Sequence, residues 1–192
     1  SSGEAVTVKN SKRVDFAYCG IGNTGANGIT ISKSDSISVH DSEIFNTGAV
    51  GVMIDSCGTI SNLTRCENEI KNCDIHDFGK VSRSYTPGVR IAASVGVDVL
   101  KNEIHEGTHS AMIYSGSEIR IEYNEIYNVL TMAADAGAIY SGRSYIDRGN
   151  EIKYNYLHDI YDNVNIKEPV VGIYLDDQLS GTAVESNILY KV

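Results

Sequence analysis

Asn102-Glu103-Ile104-His105 returns as Asn124-Glu125-Ile126-Tyr127, then as Asn155-Tyr156-Leu157-His158, then as Asn187-Ile188-Leu189-Tyr190. Fainter copies stand upstream at Cys73-Asp74-Ile75-His76 and Ser42-Glu43-Ile44-Phe45. One phrase returning every roughly 20–50 residues marks a stack of repeats. A second phrase falls between its copies: a small residue, then apolar, any, apolar. It reads Gly28-Ile29-Thr30-Ile31, Gly51-Val52-Met53-Ile54, Gly88-Val89-Arg90-Ile91, Ala111-Met112-Ile113-Tyr114, Gly137-Ala138-Ile139-Tyr140 and Gly172-Ile173-Tyr174-Leu175. Alternation of this kind predicts a strand with every second side chain inward.

Each coil is therefore expected to hold at least two strands and a turn. The shortest coil is visible where Asn23-Thr24-Gly25-Ala26 becomes Asn46-Thr47-Gly48-Ala49, 23 residues later. A coil of that length without a 3.6-residue period fits a parallel β-helix. A leucine-rich repeat has a similar length, but its Leu-rich motif is missing. The expectation is an all-β solenoid of about seven coils forming one domain over residues 1–192. The Asn residues of the first phrase then stack inward, each amide bonding the next.

Composition narrows the function. The chain has 192 residues, no Trp, two Pro and 18 Gly, and a formal net charge of −9. An acidic chain without a basic run argues against nucleic acid, whose binding rests on Lys and Arg neutralising phosphates. No apolar stretch approaches the roughly 20 residues of a membrane span. Cys19, Cys57, Cys66 and Cys73 form no CxxC pair, and no His sits at zinc-finger spacing. They read as small buried residues. Phe45, His76, His105, Tyr127, His158 and Tyr190 share the position after the apolar anchor. Tyr127 interrupts the histidines and no carboxylate cage is evident, so stacked rings are expected there, with no metal and no cofactor.

Insertions between strands of a solenoid gather on one face and build binding sites. Ten residues lead from Ile21 to Ile31 and from Ile44 to Ile54, but 16 from Ile75 to Ile91, 13 from Ile126 to Ile139 and 16 from Leu157 to Ile173. The insertions are thus roughly Phe78–Pro87, Asn128–Asp135 and Asp159–Pro169. The opposite edge is enlarged around Gly142–Gly149 and Asp176–Gly181. A strand face between two such walls is a groove. Its floor, counted from the anchors, would carry Tyr114, Tyr140 and Tyr174 on three successive coils about 4.8 Å apart. Such rings suit the apolar faces of sugars. At the groove edges, the same count sets His109 beside Asp135 and Arg143 beside Asp177, the latter as an ion pair, with Asp176 adjoining.

Paired carboxylates in a groove fit glycoside hydrolysis, one protonating the leaving oxygen and the other activating water or attacking carbon. A polysaccharide lyase would instead neutralise a uronate carboxylate and supply a base, for which Arg90, Arg143, His109 and Lys153 are candidates. A non-catalytic glycan-binding scaffold is the third reading.

The stretch from Ala134-Asp135-Ala136-Gly137-Ala138-Ile139-Tyr140 to Gly142-Arg143, then Arg148-Gly149-Asn150-Glu151-Ile152-Lys153-Tyr154-Asn155-Tyr156-Leu157-His158-Asp159, then Gly172-Ile173-Tyr174-Leu175-Asp176-Asp177, resembles right-handed β-helix carbohydrate-active proteins. Among them it is most similar to glycoside hydrolase family 141. That resemblance implies a right-handed helix and a secreted or periplasmic protein. It implies action on plant cell-wall polysaccharide or oligosaccharide, of the α-L-fucosidase or xylanase type. It makes Asp135 and Asp176 the catalytic pair, with Tyr114, Tyr140, Tyr174, His109, Arg143 and Asp177 around the substrate. A straight-strand count, however, sets Asp135 and Asp176 about 23 Å apart, against roughly 6.5–9.5 Å for an inverting pair. Either the insertion folds Asp135 over the groove, or Asp135 works with His109, or Asp176 with Asp177. The chain starts within a coil and stops with the Asn ladder running, without the polar caps that solenoids carry. It is expected to be a piece of a longer protein or to associate end to end.

Overall fold

In the computed structural model of the protein, which describes residues 3–161 and 168–192, 21 strands form three parallel sheets of seven. The first sheet contains β1 (Val6–Lys9), β4 (Ile29–Ser32), β7 (Val52–Asp55), β10 (Val89–Val95), β13 (Met112–Ser117), β16 (Ala136–Gly142) and β19 (Val170–Asp176). The second contains β2 (Lys12–Ala17), β5 (Asp35–His40), β8 (Asn68–Lys71), β11 (Val97–Leu100), β14 (Arg120–Glu122), β17 (Asn150–Lys153) and β20 (Thr182–Glu185). The third contains β3 (Gly20–Thr24), β6 (Glu43–Thr47), β9 (Asp74–His76), β12 (Glu103–His105), β15 (Glu125–Tyr127), β18 (Tyr156–His158) and β21 (Ile188–Tyr190).

The chain is thus a parallel β-helix of seven coils, with three strands in each coil. Two of the strands are those the recurring phrases predict. The third, typified by Ile37, Val39, Ile70, Val97 and Val99, is equally buried. Among the described residues, no helix is long and apolar enough to cross a membrane.

The corners explain how such short strands turn. Lys101, Tyr123, Tyr154 and Ser186 all have left-handed backbone, with φ of 57°, 58°, 59° and 56°. Each is followed at once by an Asn of the ladder. The bend turns that Asn inward, where Asn102 Nδ2 donates to Asn124 Oδ1 at 3.0 Å, Asn124 Nδ2 to Asn155 Oδ1 at 2.9 Å and Asn155 Nδ2 to Asn187 Oδ1 at 2.9 Å. The second amide proton of Asn102 and of Asn124 goes to the carbonyl of Ile70 and of Val99 respectively. Cys73 and Cys19 occupy the same column, their backbone N–H groups donating to Asn102 Oδ1 and Ser42 Oγ. Cys57, Cys66 and Cys73 are buried free thiols, and burial pushes Cys66 up to about 12 and Cys73 to about 11.

The expected ring column also forms from Phe45 to His158, and among the described residues no ring stacking extends it to Tyr190. Phe45, His76, His105, Tyr127 and His158 stack along the third sheet at centroid spacings of 5.9, 5.1, 4.7 and 5.0 Å.

The register corrects one expectation. On the first sheet Val89 pairs with Met112 and Ile91 with Tyr114, so Met112 and Tyr114 point inward and Ile113 points out. Tyr114 is only 2% exposed. It is not on the groove floor. Met112 and Ile113 are both apolar, so sequence alone does not fix which one faces the core, and a slip of one residue exchanges the faces. The Tyr114 hydroxyl lies inside the coil, 3.3 Å from Thr182 Oγ1.

Candidate functional site

The outward column of the first sheet runs through Thr30, Met53, Arg90, Ile113, Tyr140 and Tyr174. Only two tyrosines therefore share the floor. Their rings meet edge to face, with centroids 5.6 Å apart and planes at 89°, rather than tiling a flat surface. Two positions further along β19, on the same face, stands Asp176, paired in register with Gly142. The Tyr140 hydroxyl crosses to it and donates to Asp176 Oδ2 at 2.9 Å. Space for this contact comes from Gly142, where a Cβ would sit 3.0 Å from both the Tyr140 hydroxyl and Asp176 Cβ. Gly137 plays the same part under Tyr174, whose Cβ a side chain there would meet at 2.5 Å.

Asp135 reaches the same place by another route. It closes the Asn128–Asp135 insertion with left-handed backbone, φ 50°, immediately before β16. The bend lifts its carboxylate off the straight line of the strand. The Tyr174 hydroxyl donates to Asp135 Oδ1 at 3.4 Å. The Tyr174 phenol is held above its ordinary range first by the charge of Asp176, then by its desolvation, then by the charge of Asp135. Burial, and then the bond to Asp176, push Tyr140 to about 12. A straight-strand count therefore overstates the separation, because Asp135 does not lie on the strand. The two carboxylates flank one phenol.

A cavity of about 320 Å³ opens here, and Asp135, Asp176, Tyr140, His109 and Arg143 all line it. Its outer wall is Arg83, Ser84 and Tyr85 from the first insertion and Met132 to Asp135 from the second. A second hollow shares Tyr85, Tyr140 and Arg143 with it and continues along the floor to Arg90 and Ile113. Of the third insertion, residues 162–167 lie outside the described residues. Tyr85, Arg83, Gly137 and Gly142 escape a reading of the sequence. The first two lie in a loop without repeat register, and the glycines look like part of the repeat.

His109 is 9% exposed and stacks against Tyr85 at 5.2 Å. Its Nδ1 accepts the backbone N–H of Ser110 at 2.9 Å, which leaves the proton on Nε2. Burial, with Arg90 nearby, pulls it down to about 4, so it is a neutral imidazole at pH 7. The expected ion pair is present, with Arg143 Nε 3.2 Å from Asp177 Oδ2, both side chains largely exposed. A pair so exposed contributes little to stability. The backbone N–H of Asp177 donates to Asp176 Oδ1 at 2.8 Å. Asp176 thus receives two donors and Asp135 one long one.

Comparison with known proteins places the fold. The family described as a right handed beta helix region matches residues 4–191. A solved structure named as a glycoside hydrolase superposes with a TM-score of 0.75 at 15% identity, covering 98% of this chain and 38% of its own. The A-module of mannuronan C-5 epimerase AlgE6 from Azotobacter vinelandii superposes with a TM-score of 0.51 at 13% identity, covering 97% of this chain and 58% of its own. No curated protein sequence matches the chain. Identities this low show a shared fold, and the chain spans less than two thirds of either protein.

Proposed function

This chain belongs to the right-handed β-helix family, and from that premise we propose that it is the catalytic part of a glycoside hydrolase acting on cell-wall polysaccharide outside the cell or in the periplasm. The observation that carries the reading is that Asp135 and Asp176, both close to the Tyr174 hydroxyl, line one walled cavity. The two hydrogen bonds that orient Asp176 support the base or nucleophile role for it. Asp135, with one long contact, is then assigned the transfer of a proton to the leaving oxygen. Tyr140 and Tyr174 offer faces and edges for a sugar ring, and Arg143 and His109 offer donors at its rim. The likeness to a glycoside hydrolase supports this reading at the level of fold. The sequence resemblance to family 141 supports xylan- or fucose-containing substrates, and the continuous three-sheet stack supports a single domain over residues 1–192.

The test is hydrolysis of xylan and of fucosylated pectin oligosaccharides by the wild type and by Asp176→Asn and Asp135→Asn. Each variant is expected to lose about 10²–10⁴-fold in rate, the usual weight of a positioned acid or base. Equal activity in wild type and Asp176→Asn would remove the assignment. A lyase would instead release unsaturated products that absorb in the ultraviolet.

A further inference from the structure

Away from the groove, the outward face of the third sheet carries two adjoining columns. One is acidic: Glu43, Asp74, Glu103 and Glu125 pair in register on β6, β9, β12 and β15. The other is the ring column two positions later. At His76 they meet. Its Nδ1 lies 2.8 Å from Asp77 Oδ2, and its Nε2 lies 3.3 Å from Glu43 Oε1. One ligand atom each from His76, Glu43 and Asp74 fall within 4.8 Å of one another.

The ring cannot turn away. It is sandwiched between Phe45 and His105 at interplanar angles of 16° and 10°. Asp77 holds the proton on Nδ1, the outer-shell arrangement that prepares an imidazole to bind a metal through its other nitrogen. Nε2 then faces Glu43, with Asp74 in the same cluster, and a cation bound between the three would take the place of any proton that Nε2 shares with Glu43. Asp74 is itself oriented from outside the group. His105 Nε2 lies 3.1 Å from Asp74 Oδ1, while His105 Nδ1 is buried without a partner. His105 is therefore the donor and Asp74 the acceptor.

The neighbouring histidines lack this arrangement. His158 has Asp159 on Nδ1 and Glu125 on Nε2, but Tyr156 replaces the carboxylate on its own strand. His40 meets Asp41 and Asp15, and Ser38 stands where the carboxylate of its own strand would be. Along the rings alone, no carboxylate cage is visible in the sequence. The carboxylates lie two positions earlier and one coil away.

We propose that Glu43, Asp74 and His76 form a binding site for a divalent transition-metal ion of the zinc class. One imidazole and two carboxylates suit such an ion and leave positions open for water or an exogenous ligand. Metal–ligand bonds of about 2.0–2.2 Å draw ligand atoms somewhat closer than they stand here. The exposed Glu43 side chain supplies the adjustment. Calcium, which takes about six to eight oxygens, is a poor match. Asp77 also pairs with Lys80 at the root of the Phe78–Pro87 insertion, so an ion on His76 would brace the base of the groove wall.

Calorimetric titration of the metal-free protein with zinc chloride tests the site. One saturable site is expected. Its affinity should fall at least tenfold in His76→Gln and in Glu43→Gln, and stay unchanged in His158→Gln. Glu43 is exposed, so Glu43→Gln decides the matter if His76→Gln does not fold. Absence of saturable binding, wild-type affinity in Glu43→Gln, or stronger binding of calcium than of zinc would each overturn the proposal.

Discussion

At the scale of single residues, Tyr140 and Tyr174 tie the two carboxylates of the groove to its floor. Tyr140 supplies one of the two hydrogen bonds that Asp176 receives. Hydrogen bonds to a charged group contribute about 1.5–3 kcal/mol. On the proposed hydrolase reading, Tyr140→Phe is therefore expected to lower kcat about tenfold or more on the xylan or fucosylated oligosaccharide tested, without unfolding the protein, and steady-state kinetics would show it. Gly142→Ala, which crowds the same contact, should act in the same direction. His109 gives a pH signature. Its folded value is depressed to about 4, against an ordinary value near 6.5. Its contribution is therefore complete above pH 6.5 and lost as pH falls from there toward 4, up to about 3 kcal/mol. Thermal melts between pH 4 and 7 should show this slope, and His109→Gln should flatten it.

At the scale of elements, the Asn ladder ties each coil to the next. Asn124 donates to Asn155 and Val99 and accepts from Asn102, all in the buried interior. Asn124→Ala would strand several of these groups at about 1–3 kcal/mol each. Urea unfolding is expected to show at least about 3 kcal/mol of destabilisation. This part of the molecule was legible beforehand, because identical side chains at fixed spacing leave few other places for their amides. The strand of the second sheet was not, since its short apolar pairs, such as Val97 and Val99, merge with the neighbouring phrase. The phase of β13 was hidden by the Met112-Ile113 doublet. The place of Asp135 was hidden by its left-handed backbone, which no counting rule along a straight strand includes. Counting from the ladder still brought Asp135 and Asp176 to the edges of one groove, and both line the same cavity there.

Across the whole molecule, contacts run almost entirely between adjacent coils, as the register of all three sheets shows. Stability in such a stack is close to a sum of coil and interface contributions. Hydrogen exchange should accordingly be slowest in the central strands β10 to β15 and faster toward either end. The Asn128–Asp135 insertion, which carries Asp135, adds length at one corner and leaves the pairing of β15 with β18 and of β16 with β19 in step. The segment Phe78–Pro87 does the same between β9 and β10. Each wall is anchored in the core, the first by Phe78 and the second by Val129 and Leu130. The exposed stretch between such anchors, Lys80 to Tyr85 in the first wall, is free to vary in length and chemistry, so the lining of the groove can change while the scaffold beneath it is inherited unchanged.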